Sequence, residues 1–367
     1  MPTLKKIVIQ NFRNIELQEV EFSPNINCIS GGNGEGKTNL LDAIWYMSMT
    51  KSAFSTGDRF NFRYGSSSFS IMGEYAMPGG ISSRFGIQVD SGGEKKLRRD
   101  DKPYPRISEH IGVLPIVMVS PADSAMVSES GEERRKFVNS VLSQMDKEYL
   151  NLVQQYNRLL LQRNKLLKAG IVDEDLLSTF DYRLDSLANP IYEKRAAFCK
   201  ELVPVVRRYY AEISGGREEV GIEYSSDLSK GGLADILKAH RVKDNVFHFT
   251  TAGIQRDDFV FTMNGHPIRR CGSQGQQKSF LVAVKFAQYE VMKSSYGFPP
   301  MMLLDDLFDK LDLQRVSNLL SLVADREFGQ IFITDSNKVR TEGIVDKITS
   351  DRLYIETAGG VFTKVNE

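Results

Sequence analysis

The sequence is poor in cysteine. Cys28, Cys199 and Cys271 are the three present in 367 residues. An odd number with no close pair excludes a disulfide framework and a cysteine-rich zinc site. Histidine is nearly as sparse, and His110, His240, His248 and His266 have no ligand spacing. Three reduced thiols at core or loop positions fit a reducing, cytosolic compartment. An excess of either charge is missing too: 47 Lys and Arg balance 47 Asp and Glu, for a formal net charge of zero. That excludes a uniformly basic surface, so any contact with nucleic acid must use local patches. Long apolar runs are absent, and Met301 to Leu304 is far too short to cross a bilayer. The opening MPTLKKIVIQNF lacks the apolar stretch of a secretory leader. A membrane partner is not expected.

An apolar fraction of 41% and a charged fraction of 26% are ordinary for a globular chain. The length suits one large split domain or two lobes. Period-two patterns predict strands over residues 4–10, 25–30, 69–76, 81–89, 115–119, 219–224, 259–264, 300–305 and 330–334. Residues 352–357 and 361–365 read as a terminal hairpin. Phe137, Val141, Met145, Tyr149, Val153, Tyr156 and Leu160 recur at helical spacing, which predicts one long amphipathic helix over 132–168. A second helical stretch, 174–213, is expected to break near Asn189-Pro190. Further helices are predicted from Gln276 toward Met292 and over Leu313 to Ala324.

The strongest motif is Gly31-Gly32-Asn33-Gly34-Glu35-Gly36-Lys37-Thr38, followed by Asn39. It satisfies G-x-x-x-x-G-K-[ST] in full, between a predicted strand and a predicted helix. Glycines let backbone N–H groups curl round a phosphate, and the helix start adds a positive dipole end. Lys37 is the expected partner of the β- and γ-phosphates of ATP, and Thr38 a ligand of Mg²⁺. Far downstream, the apolar strand Met301 to Leu304 ends in Asp305 and Asp306. Asp305 is positioned to share the Mg²⁺, and Asp306 to orient or deprotonate an attacking water.

Ser273-Gln274-Gly275-Gln276-Gln277-Lys278 precedes a helix and resembles the signature segment of ABC ATPases; Leu311-Asp312 resembles their D-loop. The order and spacing, with Asn11-Phe12-Arg13-Asn14, GGNGEGKTNLLDAIW, SPADS, GEERRKFVN, Tyr156-Asn157-Arg158, the stretch 161–168, RDDF and CGSQGQQKSF, resemble the RecF family of bacterial DNA-repair ATPases. This resemblance covers nearly the whole chain. It implies an α/β ABC-type head: a lobe with a mixed sheet (1–120 plus 298–367) and an inserted helix-rich lobe (121–297) carrying the signature. It further implies an ATP-dependent homodimer whose composite sites join Lys37 and Thr38 of one copy to Ser273, Gly275, Gln276 and Asp312 of the other. Arg13 is a candidate phosphate contact. The implied activity is slow ATP hydrolysis coupled to binding DNA at single-strand gaps, without sequence specificity, with RecR as partner and RecA loading as the outcome.

Three departures stand out. Gln255 precedes Arg256-Asp257-Asp258 where the family commonly has histidine, and Leu307 to Lys310 differ from its usual run. No histidine follows the 330–334 strand, so Thr334 or Asp335 takes the place of a transporter-type switch residue. Candidate DNA-phosphate contacts are Lys95, Lys96, Arg98 and Arg99, then Arg134, Arg135 and Lys136, then Arg158, Arg163, Lys165 and Lys168. The competing readings are an SMC-like DNA-structural ATPase, which needs helices 132–213 to project freely, a transporter-type ABC ATPase, and a small-molecule P-loop kinase.

Overall fold

The computed structural model describes residues 1–170, 173–306, 328–346, 349 and 351–365. The chain divides into two compact units, Met1–Asp123 with Lys285–Glu367, and Ser124–Val284.

The first unit contains two sheets. Strands β1 (Thr3–Phe12), β2 (Ile15–Glu21), β4 (Ser68–Ala76), β5 (Ser82–Asp90), β6 (Lys95–Arg99) and β7 (Lys102–Pro103) form an antiparallel sheet in the order β2-β1-β4-β5-β6-β7. Ile7, Ile9, Phe69, Ile71, Phe85, Ile87 and Leu97 face its core side, as the alternation of apolar residues requires. The second sheet has the order β15-β14-β3-β13-β12-β8. It is built from β3 (Ile26–Ser30), β8 (Ile116–Val119), β12 (Met301–Asp305), β13 (Ile331–Asp335), β14 (Arg352–Ala358) and β15 (Val361–Lys364). All but β15 run parallel. Every residue of β3, β8, β12 and β13 is buried, so these strands read as continuous apolar runs rather than alternations. Helix α1 (Lys37–Met49) starts at Gly36, with φ 110°, and buries Leu40, Leu41, Ile44 and Met47.

The second unit holds α2 (Ala125–Ser128), α3 (Gly131–Met145), α4 (Lys147–Lys168), α5 (Glu174–Ser214), α6 (Leu233–Ala239), α7 (Arg241–Phe247) and α8 (Ile268–Cys271). It also holds the three-stranded sheet β11-β10-β9, from β9 (Val220–Ser225), β10 (Asp258–Met263) and β11 (His266–Pro267). Helix α9 (Gln274–Tyr296) starts there.

Two helical expectations need correction. The single helix expected over 132–168 divides at Asp146, whose extended backbone (φ −136°, ψ 107°) ends α3 and whose carboxylate accepts the Tyr149 N–H as the cap of α4. A cap satisfies a donor that an unbroken pattern hides. Conversely, α5 runs through Pro190 and Pro204 without a break. A helix-interior proline costs about 3 kcal/mol. The buried stripe Leu177, Leu184, Ala188, Ile191, Phe198 and Leu202 spans Pro190, and each large apolar side chain buried contributes roughly 1.5–3 kcal/mol. Strand β2 and helices α6 and α7 were not expected. The predicted helix over Leu313 to Ala324, and Leu307 to Asp312, lie outside the described residues.

Candidate nucleotide-binding site

The carboxyl ends of four adjacent parallel strands meet at one place. Ser30 ends β3, Asp305 ends β12, Thr334 and Asp335 end β13, and Thr357 lies near the end of β14. In register, Asp305 pairs with Thr334, Asp335 with Ser30, and Glu356 with Ser30. Ligand crevices of open α/β sheets lie at such carboxyl ends. The glycine loop 31–36 leaves β3 here and enters α1.

Within the loop, Lys37 is buried, and its ammonium donates to the carbonyls of Gly31 (2.8 Å) and Gly32 (2.9 Å). The Thr38 hydroxyl lies 3.1 Å from Asp305 Oδ1 and 3.0 Å from Oδ2. The Thr334 hydroxyl donates to Asp305 Oδ1 at 2.6 Å and accepts the Asp306 N–H at 3.2 Å. Burial pushes the Asp305 carboxyl above the usual carboxylate range, and the hydroxyls of Thr334 and Thr38 oppose that shift. Asp306 has φ 44°, in the left-handed region. A buried carboxylate and a hydroxyl are hard oxygen donors and suit Mg²⁺.

The loop is braced from outside by residues that its motif does not mention. Thr357 Oγ1 and the Gly360 N–H both donate to the Glu35 carbonyl, at 3.0 and 2.9 Å, and the Gly359 N–H donates to the Glu35 carboxylate. A Cβ at Gly31 would lie 2.5 Å from the Thr357 carbonyl oxygen, which is why only glycine fits there. Asn14, in the β1–β2 turn, accepts from Asn39 Nδ2 at 2.7 Å, and its carbonyl would lie 2.7 Å from a Cβ on Gly360. The Gly359-Gly360 pair signals a turn in the sequence; its long-range contact with Glu35 has no local signal.

Arg13, in the β1–β2 turn, lays its guanidinium against α1. It ion-pairs with buried Asp42 at 2.6 Å and donates to Asn39 (3.0 Å) and Ser52 (2.9 Å). Burial raises the Asp42 carboxyl above its ordinary range, and the Arg13 guanidinium counters this. Asn33 and Gly34 lie exposed at the tip of the loop.

In the second unit, Ser273 and Gln276 cap α9 reciprocally. The Gln276 N–H donates to Ser273 Oγ (3.3 Å) and the Ser273 N–H to Gln276 Oε1 (2.7 Å). Gln276 also donates to Glu218 at 2.7 Å. Ser273 is exposed and Gly275 half-buried.

The candidate DNA contacts separate into two kinds. Arg134 forks onto Asp258 (2.7 and 3.0 Å), and Arg135 donates to the Asp257 carbonyl (2.6 Å). Arg163 is fully buried, bonded to Asp181 (2.8 Å), Asp244 (2.7 Å) and Thr250 (2.7 Å). Lys95 is tied to Asp58 and the Thr50 carbonyl. These four hold the fold and leave the list. Lys96, Arg98, Lys136, Arg158, Lys165 and Lys168 remain exposed, Lys136 in ion pairs with Glu132 and Glu133, and Arg99 is half-buried.

A family model described as an AAA domain matches residues 6–196. The DNA replication and repair protein RecF of Bacteroides fragilis is 40% identical over 365 residues, 99% of each chain. The chain belongs to the RecF family. Among solved structures, one described as the recombination mediator protein RecF with ATP in the RecFOR pathway has a TM-score of 0.88 at 28% identity, covering 100% of this chain and 98% of that one. An Smc head domain from Pyrococcus furiosus has a TM-score of 0.58 at 14% identity, covering 100% and 96%, and shares the fold. The α/β head architecture expected from the RecF resemblance is thus present. No described helix is long and apolar enough to cross a membrane.

Proposed function

We propose that this chain is a recombination-repair ATPase that closes on DNA as an ATP-bound dimer. The observation that carries the reading is the approach of Thr38 to Asp305, at 3.0–3.1 Å, beneath a complete phosphate loop. Lys37 exchanges its two loop carbonyls for the β- and γ-phosphates of ATP, and the loop N–H groups and the start of α1 hold the remaining oxygens. Thr38 and Asp305 hold Mg²⁺, which neutralises phosphate charge. Asp306 orients the attacking water. Ser273 of the partner subunit, with Gly275 and Gln276 of that copy, closes over the γ-phosphate from the start of its α9. Asp312 lies outside the described residues and keeps its place in the reading by resemblance alone.

ATP therefore favours the closed dimer by its differential affinity, and slow hydrolysis reopens it. The closed form binds gapped, single- and double-stranded DNA without sequence preference, through phosphate contacts from Lys96, Arg98, Arg158, Lys165 and Lys168. RecR is the proposed protein partner, and RecA loading the outcome; the RecFOR description of the solved relative supports this assignment. An SMC-like structural ATPase is less well supported, because α4 and α5 bury Tyr149, Tyr156, Leu159, Leu177 and Leu184 rather than project. Fluorescence anisotropy on gapped duplex with Mg²⁺-ATP or ADP, for wild type and Ser273→Arg, tests the proposal. Tight binding for wild type with ATP alone is expected. Nucleotide-independent binding would overturn the closed-dimer reading.

A further inference from the structure

The hydroxyl of Thr334 sits between the two acids of the site. Thr334 is fully buried at the end of β13, beside β12 in the parallel sheet. Its single proton goes to Asp305 Oδ1, at 2.6 Å. Its lone pair takes the N–H of Asp306, at 3.2 Å. Asp306 has φ 44°, a left-handed backbone state that few L-residues adopt, aspartate among those that do so more readily. One hydroxyl therefore fixes the carboxylate of the first acid and the backbone turn that aims the second.

From this geometry we infer that Thr334 is a positioning residue for Mg²⁺ and for the attacking water, acting through Asp305 and Asp306 without touching either ligand. This rests on the Mg²⁺-ATP reading above. The Asp305 carboxylate is free to rotate about its last bond. With the Thr334 bond in place, it presents both oxygens to Thr38, at 3.0–3.1 Å. The Thr38 hydroxyl can then give its proton to Asp305 and turn a lone pair to the cation. Without the Thr334 bond, the carboxylate loses one of the contacts that orient it and the half-buried Asp306 loses an acceptor for its N–H. Outer-shell hydrogen bonds of this kind set metal affinity. The role differs from that of a switch residue, which would contact the nucleotide itself.

The test compares Thr334→Val, which keeps the side-chain shape and removes the hydroxyl, with Thr334→Ser, which keeps the hydroxyl. A fluorescent ATP analogue is titrated into the full chain, in EDTA and across a Mg²⁺ series. For Thr334→Val, the Mg²⁺ concentration giving half of the affinity gain should rise about 10-fold or more, with the affinity in EDTA unchanged. Thr334→Ser should match wild type in both. Equal Mg²⁺ dependence in wild type and Thr334→Val would overturn the positioning role, and so would equal losses in EDTA and in Mg²⁺. If the valine chain does not fold, Thr334→Ala reads the same difference. A wild type whose nucleotide affinity ignores Mg²⁺ would instead sink the underlying reading of the site.

Discussion

Thr38 and Asp305 are 267 positions apart in the chain, yet their side-chain oxygens lie within 3.1 Å. That pairing is made by parallel strands of one sheet. β13 lies between β3, which delivers the loop, and β12, which delivers the acid, so the two motifs meet across a single strand.

Lys37→Met should remove nucleotide-driven dimerisation. The ammonium now bonded to Gly31 and Gly32 is the cation that the loop itself offers to a phosphate. Charge-assisted bonds contribute roughly 1.5–3 kcal/mol each, so ATP affinity should fall at least tenfold. Light scattering after gel filtration with Mg²⁺-ATP should then give the monomer mass, and an ATP-induced dimer of this variant would contradict the assignment.

Ser273→Arg should separate binding from closure. The residue caps α9 and is not part of the phosphate loop, so ATP binding should stay near wild type. Loss of the Ser273–Gln276 cap costs about 1 kcal/mol, a small drop in melting temperature. Sedimentation velocity in Mg²⁺-ATP should find no closed dimer.

Two arginines once grouped with the DNA candidates should behave oppositely. Arg98→Glu, on the exposed row of β6, should weaken DNA binding and flatten its salt dependence, with the melting temperature unchanged. Arg163→Ala removes the cation shared by buried Asp181 and Asp244, leaving Asp181 to Arg241 and Asp244 to the Thr251 donors, at a cost of roughly 3–5 kcal/mol. Thermal melts and anisotropy at two salt concentrations distinguish them. A stable Arg163→Ala chain with weakened DNA binding would reverse the assignment.

Thiol labelling should find one fast cysteine. Cys271 is exposed, whereas Cys28 and Cys199 are buried, and burial pushes the Cys199 thiol up to about 11. At pH 8 a thiol-reactive dye should modify Cys271 rapidly and the other two after denaturation. The folded state holds the Cys199 proton more tightly than the unfolded chain. Its contribution to stability is therefore constant below the ordinary thiol value near 8.5 and falls as pH rises toward 11. Fast labelling of Cys199 at pH 8 would show that its cover is open.

Much of this was legible in the sequence because the informative residues are local. A glycine loop between a strand and a helix, and an apolar strand ending in two acids, each carry their signal within a few positions. The buried arginines were misread for the opposite reason. Arg163 sits in a polar helical stretch, and nothing near it in sequence reveals that Asp181, Asp244 and Thr250 arrive from distant segments. Asp146 hid inside an unbroken apolar periodicity because its extended backbone ends α3 and its carboxylate caps α4 without interrupting the apolar spacing. Thr334 was noted only as filling a vacant switch position, since its link to both acids depends on strand order rather than spacing.

The clasp on Glu35 has a consequence for the chain as it is made. The hydroxyl of Thr357 reaches the Glu35 carbonyl across 322 positions of sequence. A ribosome finishes the glycine loop early in synthesis, but the turn that grips it emerges more than three hundred codons later. Throughout that interval the nascent chain displays the motif without its brace. The loop therefore gains this brace only once the turn at Gly359-Gly360 has been made, and a chain interrupted between the two carries the motif without it.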